Sequence, residues 1–240
     1  MHASGKLILW FLVASALASP VGTATATPRA RTTYLSDARD ASTKHPLPDI
    51  LTEVESSAED IVDFALSGDR GNAVSTAGDL RVSAYGPAAA ALTASGVPGA
   101  KVTELARRAS RLARIARHGS FVEIALSANA VSQLMPDLYA HFQNRVPALI
   151  LALDYFDREA QLRSLAREPG KVVVAVAGLE RTWPRVRPKV RAAGGAKEAA
   201  AFDRHVQAMT RLRTGTPKKV QAEAVNGLEL VDELERVFTR

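Results

Sequence analysis

The chain lacks cysteine altogether and is poor in aromatic residues, at 5% of its 240 residues, with only three methionines. Each shortage closes a class of function. Without cysteine there is no disulfide framework, no thiolate metal site, no cysteine nucleophile and no lipid-modified cysteine. Covalent haem attachment, which needs Cys-x-x-Cys-His, is excluded with them. Neither nucleotide cradle, Gly-x-Gly-x-x-Gly or Gly-x-x-x-x-Gly-Lys-Ser/Thr, occurs in the sequence, and a Gly-x-Ser-x-Gly elbow and a His-Glu-x-x-His zinc helix are equally missing. The common hydrolase and kinase readings lose their main support.

Long apolar runs are also scarce. The longest, Leu7 to Leu17, falls well short of the about 20 residues that span a bilayer. Its flanks give it another meaning: Lys6 supplies a positive n-region and Ala24-Thr25-Ala26 a small-x-small cleavage site. Residues 1–26 read as a secretory signal peptide, with the mature product starting at Thr27. Export without disulfides fits a bacterial envelope protein, with the periplasm preferred to the medium. Loss of Lys6 with the leader leaves a net charge of about +5. That bias favours anionic lipid, polysaccharide or nucleic acid without choosing among them, and ordinary solubilising charge accounts for it as well.

What the chain does have is helical periodicity. Residues 27–48 form a polar stretch without it, read as a flexible leader. From Asp49 onward apolar residues recur at three- and four-residue intervals, the spacing of one helix face. Leu51, Val54, Ala58, Ile61, Ala65 and Leu66 line the first helix opposite Glu53, Glu55, Glu59, Asp60 and Asp63. A second helix is expected over 71–94, a third over 100–117, and a fourth from Phe121 that Pro136 bends or breaks. The pattern then returns. A shift of 99 pairs Asp69 with Glu168, Leu80 with Leu179 and Gly96 with Gly195; a shift of 97 pairs Leu105 with Phe202, Leu112 with Met209 and Asn129 with Asn226. The expected fold is therefore all-α: two tandem four-helix units of about eight helices, 49–145 and 146–240, related by internal duplication. In the sixth helix Trp183 is the strongest core anchor and needs a polar partner for its N–H. Pro184 and Pro188 are expected to bend or interrupt that helix.

Polar side chains are densest where the two units meet. Tyr139, His141, Asp154 and Asp157 form a candidate metal set if the connection folds them together, since imidazole with carboxylates suits a transition ion. The plainer reading makes Asp154 and Arg158 an ion pair four apart on one helix and leaves His141 in solvent. His205 and Met209 tempt as bundle ligands, yet the repeat aligns His205 with Arg108, an expected surface position. Arg107, Arg111 and Arg114 follow one face of the third helix and form a candidate anion-binding ridge. If the acidic first helix lies alongside, that ridge is internal charge complementarity instead. No catalytic set and no cofactor are expected.

The resulting functional expectation is an exported, non-catalytic binding or interaction module, with an unidentified protein, ion or small anionic ligand as partner. Peripheral contact with anionic surfaces remains open, and nucleic acid is disfavoured because no aromatic residues accompany the ridge. The alternative is a metal-handling accessory protein with its site at the junction. The cleavage reading is checked by N-terminal sequencing of the exported product, which is expected to begin at Thr27.

Overall fold

The computed structural model describes residues 44–240; the expected signal peptide, and the leader up to residue 43, lie outside the described residues. The chain is mostly helical, as its periodicity predicts, with eight long helices and two short ones among the described residues. Helix α1 (Asp49–Ser67) buries Leu51, Val54, Ala58, Ile61, Val62 and Ala65. It ends at Gly68, whose φ of 82° is open to glycine at little cost. Asp69 then caps α2 (Arg70–Tyr85) by accepting from the Asn72 N–H at 3.0 Å.

The single helix expected over 71–94 is divided. It stops at Gly86 and resumes as α3 (Pro87–Ala94), where proline stands at the first helical position and its missing N–H costs nothing. Helix α4 (Gly99–His118) follows, then α5 (Phe121–Ser132), entered through a capping box of Ser120 and Glu123. The break expected at Pro136 is present, because α5 gives way there to the short α6 (Met135–Tyr139).

A two-residue parallel pairing, β1 (His45–Pro46) with β2 (Phe142–Gln143), follows α6 in space. It corrects one expectation. The last residues of the polar leader are tied down, for Lys44 also donates to the Ala140 carbonyl at 2.9 Å and Leu47 packs on the core.

The second half comprises α7 (Leu149–Leu165), α8 (Pro169–Ala192), α9 (Ala196–Leu212) and α10 (Pro217–Thr239). Contacts close each half into a ring. α1 packs on α2 and α5, α2 on α4, and α4 on α5; in the same order α7 packs on α8 and α10, α8 on α9, and α9 on α10. Each ring encloses its own apolar cluster. The division at 145/146 is nevertheless no gap in packing: α7 leans on α5 and α6, Leu162 belongs to the first cluster, and residues 44–240 form one compact unit.

Helix α8 runs unbroken through Pro184 and Pro188, so the expected interruption does not occur. Both prolines are exposed and four apart, which places them, and the carbonyls they leave without a helical partner, on the wet face. Trp183 is buried on the other side, its ring centroid 4.7 Å from that of Phe202. Its indole N–H donates to Asp203 at 2.7 Å, and Arg187 closes on the same carboxylate at 2.7 Å.

Close approach of α7 and α8 depends on Gly178, where a Cβ would stand 2.2 Å from the Phe156 ring. Replacing Gly178 with alanine is expected to lower unfolding free energy by about 1–3 kcal/mol. Phe156→Leu in the same chain should recover part of that loss in denaturant titrations. Equal stability of Gly178→Ala and the parent would show that the helices yield freely at this point.

Candidate functional site

Helix α4 turns Leu105, Ala109, Leu112 and Ala116 inward, so the 3.6-residue period turns Arg107, Arg111 and Arg114 outward. All three are exposed. The acidic α1 does not neutralise them, which corrects the expectation of internal complementarity. Its main packing neighbours are α2 and α5, placing it across the ring from α4, and two of its carboxylates serve other partners. Glu55 accepts from the Tyr139 phenol, and Glu59 meets Arg158 at 3.0 Å.

Within α4 only Glu104 offers compensation. Arg107 and Arg108 each bond it at 2.7 Å, and those hydrogen bonds hold its carboxyl down to about 2. Arg108 also turns back toward α5, donating to the Ala130 carbonyl and to Gln133. Arg111 and Arg114 form no ion pair among the described residues.

The ridge stands between two grooves. One, of about 760 Å³, lies toward α2 and α3 and is walled by Arg107, Arg111 and Arg114, with Tyr85 and Ser110 beside them and Ala89 and Val102 in its floor. The other, of about 500 Å³, lies toward α5 and α8 and adds Arg163 and Lys171, but also Glu123 and Glu168. There the cations are already paired, Arg163 with Glu168 at 2.6 Å and Lys171 with Glu168 at 2.9 Å.

The four junction residues are not brought to one point. His141 lies 3.2 Å from the Lys101 amine, which in turn pairs with Asp137 at 2.6 Å. Partial burial and the Lys101 charge hold the imidazole below its ordinary range. Tyr139 turns to Glu55, and Asp154 pairs with Arg158 at 2.7 Å, the helical ion pair of the plainer reading. Asp157 faces away, into the second bundle. Among the described residues no group of three or more His, Asp or Glu side chains is placed to hold a metal ion.

What the sequence reading missed is His205. Its alignment with Arg108 predicts a surface position; the structure buries it between carboxylates from two other helices, and Arg108 itself is half-buried. Its Nε2 lies 2.9 Å from Asp157 and its Nδ1 2.8 Å from Glu223, with the imidazole and the Asp157 side chain both 0% exposed. Burial disfavours the imidazolium, yet bonding to Asp157 and Glu223 outweighs it and raises His205 above its usual range. Burial likewise pushes Asp157 up to about 6, against the His205 hydrogen bond. The second carboxylate oxygen of Asp157 has no protein partner. Gly227 makes the room: a Cβ there would lie 2.5 Å from both Asp157 and His205. A glycine inside an otherwise regular helix was the available signal, and it names a close approach without naming what approaches.

A further set of raised carboxylates surrounds Arg158, which is 12% exposed. Burial lifts Glu55 to about 7 and Glu235 to about 7, and it raises Asp154 against the pull of Arg158. No helix among the described residues is long and apolar enough to cross a membrane. Compared with known proteins, the chain matches no family model, no curated protein and no solved structure.

These titrations share a sign. A carboxylate with a raised folded pKa holds a proton that the unfolded chain releases, so stability falls as pH climbs from the unfolded value to the folded one. For Glu55 and Glu235 that window runs from 4.5 to about 7. His205, also raised, contributes stability below its unfolded pKa that is lost as pH rises through the folded one. The protein is therefore expected to melt higher at pH 5.5 than at pH 8.5. Glu55→Gln with Glu235→Gln should flatten the difference by about 1–3 kcal/mol per site. A melting temperature that rises steadily toward pH 8.5 would contradict the account.

Proposed function

We propose that the chain is an exported, non-catalytic helical binding module that takes anionic ligands on the arginine ridge of α4. One observation carries this: Arg111 and Arg114 project from a single helix face into solvent with no carboxylate neutralising them among the described residues. Guanidinium groups in such a row present paired donors to carboxylate, phosphate or sulfate oxygens. Export rests on the n-region, apolar core and cleavage site of residues 1–26, and it directs the module to the envelope, the periplasm first.

A tandem duplication is proposed as the origin of the two rings. Supporting it, α4 and α9 begin at Gly99 and Ala196, and Asp69 and Glu168 stand immediately before α2 and α8, offsets that match those aligning the sequences. Arg108 against Ala130 also occupies the place of His205 against Gly227. The ridge is complete in one copy alone: Arg107 and Arg114 are matched by Arg204 and Arg211, but the position matching Arg111 is Ala208. The metal-handling alternative lacks comparable support, since Tyr139, His141, Asp154 and Asp157 serve four separate partners.

Citrate is a suitable first probe. At low salt it is expected to perturb NMR resonances of α4, with binding weakened about tenfold or more by Arg111→Glu with Arg114→Glu, a loss of about 1.4 kcal/mol or above. About 0.5 M sodium chloride should suppress it, because exposed charges are screened over a few ångströms at that strength. Perturbations spread evenly over the surface, or unchanged in the double variant, would refute the ridge.

A further inference from the structure

We propose that the larger groove takes a single-chain anionic amphiphile, a long-chain carboxylate, with its head on Arg111 and Arg114 and its tail along the floor toward α3. This inference rests on the ridge reading and adds the ligand's class. The two grooves share Arg107, Arg111 and Ile115 and differ in the rest of their lining. On the α5 side carboxylates of Glu123 and Glu168 line the wall, and Glu168 already holds the local cations. On the α2 and α3 side no acidic residue lines the wall. A third cavity, of about 380 Å³, is also free of acidic residues, but Arg81, Arg114, Arg117 and His118 line it with Ala113 as its one apolar side chain, so only the larger groove sets uncompensated charge beside an apolar floor.

The polar groups are placed at one end. Arg107 is committed to Glu104, which leaves Arg111 and Arg114 for a ligand. Tyr85 stands beside them and accepts from the Ser110 hydroxyl at 3.1 Å, so its own proton is available to an incoming oxygen. Away from these groups Val102, Ala106 and Ala89 line the groove, and the exposed Thr103 is the one uncharged polar side chain among them. Small alanines on facing helices keep this part wide. Along α4 the lining runs from Val102 to Ile115, about 20 Å at 1.5 Å per residue. The groove is open to solvent, and its volume of about 760 Å³ is room enough for a small ligand.

The test is calorimetric titration of the protein at low salt with hexanoate, octanoate, decanoate and dodecanoate, each as monomer, beside citrate and phosphatidylglycerol vesicles. Affinity is expected to rise about two- to fourfold with each added methylene, as burial of hydrocarbon requires. Ala89→Asp should cost dodecanoate tenfold or more and leave citrate unchanged. Thr103→Trp, at an exposed lining position, fills the trough without touching the core and should act likewise. Arg111→Glu with Arg114→Glu should abolish both ligands.

Dodecanoate binding no tighter than hexanoate would overturn the amphiphile and leave the anion ridge standing if citrate still binds. Failure of citrate as well would remove both. Retention of dodecanoate by Ala89→Asp and Thr103→Trp would place the tail elsewhere and overturn the proposal. So would binding to vesicles without binding of the monomeric chain.

Discussion

Arg158 is the charge on which the arrangement of the two bundles depends. It projects from α7, is held on its own helix by Asp154 at 2.7 Å, and reaches across to Glu59 of α1 at 3.0 Å. Removing a charge of this kind from water is expensive, and it is tolerated where geometry and hydrogen bonds compensate. Here compensation comes from both halves of the chain at once. Separating the bundles would strand Glu59 from its partner and expose Leu162, which α7 contributes to the first core while Ile150, Leu153 and Ala160 serve the second. A single helix is thus a wall of two cores, and its one buried cation fixes which wall faces which.

Around that cation the carboxylates outnumber their partner. Glu55 leans on the Tyr139 phenol, and Glu235 approaches from α10. Like charges in a half-buried space cannot all be ionised together, so protons are retained near neutrality. The same logic governs the second core, where His205 is enclosed by Asp157 and Glu223. Both sites are scaffolding by position: one joins bundles, and the other ties α7, α9 and α10. Neither opens onto the grooves that flank α4.

Most of the architecture was legible because apolar spacing is a direct consequence of burying one side of a helix. The stripe of α1 and the stops at Gly68 and Pro136 follow from it. Division at Gly86-Pro87 was missed because the alanines on either side read equally well as one helix or two. The prolines of α8 misled in the opposite direction, for the sequence shows a missing donor but not that its carbonyl faces water. His205 escaped for a deeper reason. A position inherits its place in the fold from periodicity, but whether a polar side chain there is exposed depends on carboxylates 48 and 18 residues distant, and on a glycine that clears the space. Exposure of the arginine ridge was undecidable for a similar reason, since it turned on which helices are ring neighbours.

Under the proposed duplication the two halves use matching positions differently, and the difference bears on where we propose that an anion binds. In the second half the site matching Arg108 is drawn inward, and the core becomes partly polar, with an imidazole, two carboxylates and a glycine committed to one another. In the first half Arg108 reaches out over Ala130 and Gln133, the buried polar side chains are the uncharged Asn129 and Ser132, and charge accumulates on the outside of α4. A row of like charges on one face costs some stability by mutual repulsion. Salt bridges to Glu104 relieve its first member, leaving Arg111 and Arg114 as the residues that a counter-charge from outside the chain would stabilise. The bundle whose buried polar side chains are uncharged is therefore the one with unpaired arginines on its surface, while in the other a buried carboxylate and imidazole hold one another in the interior.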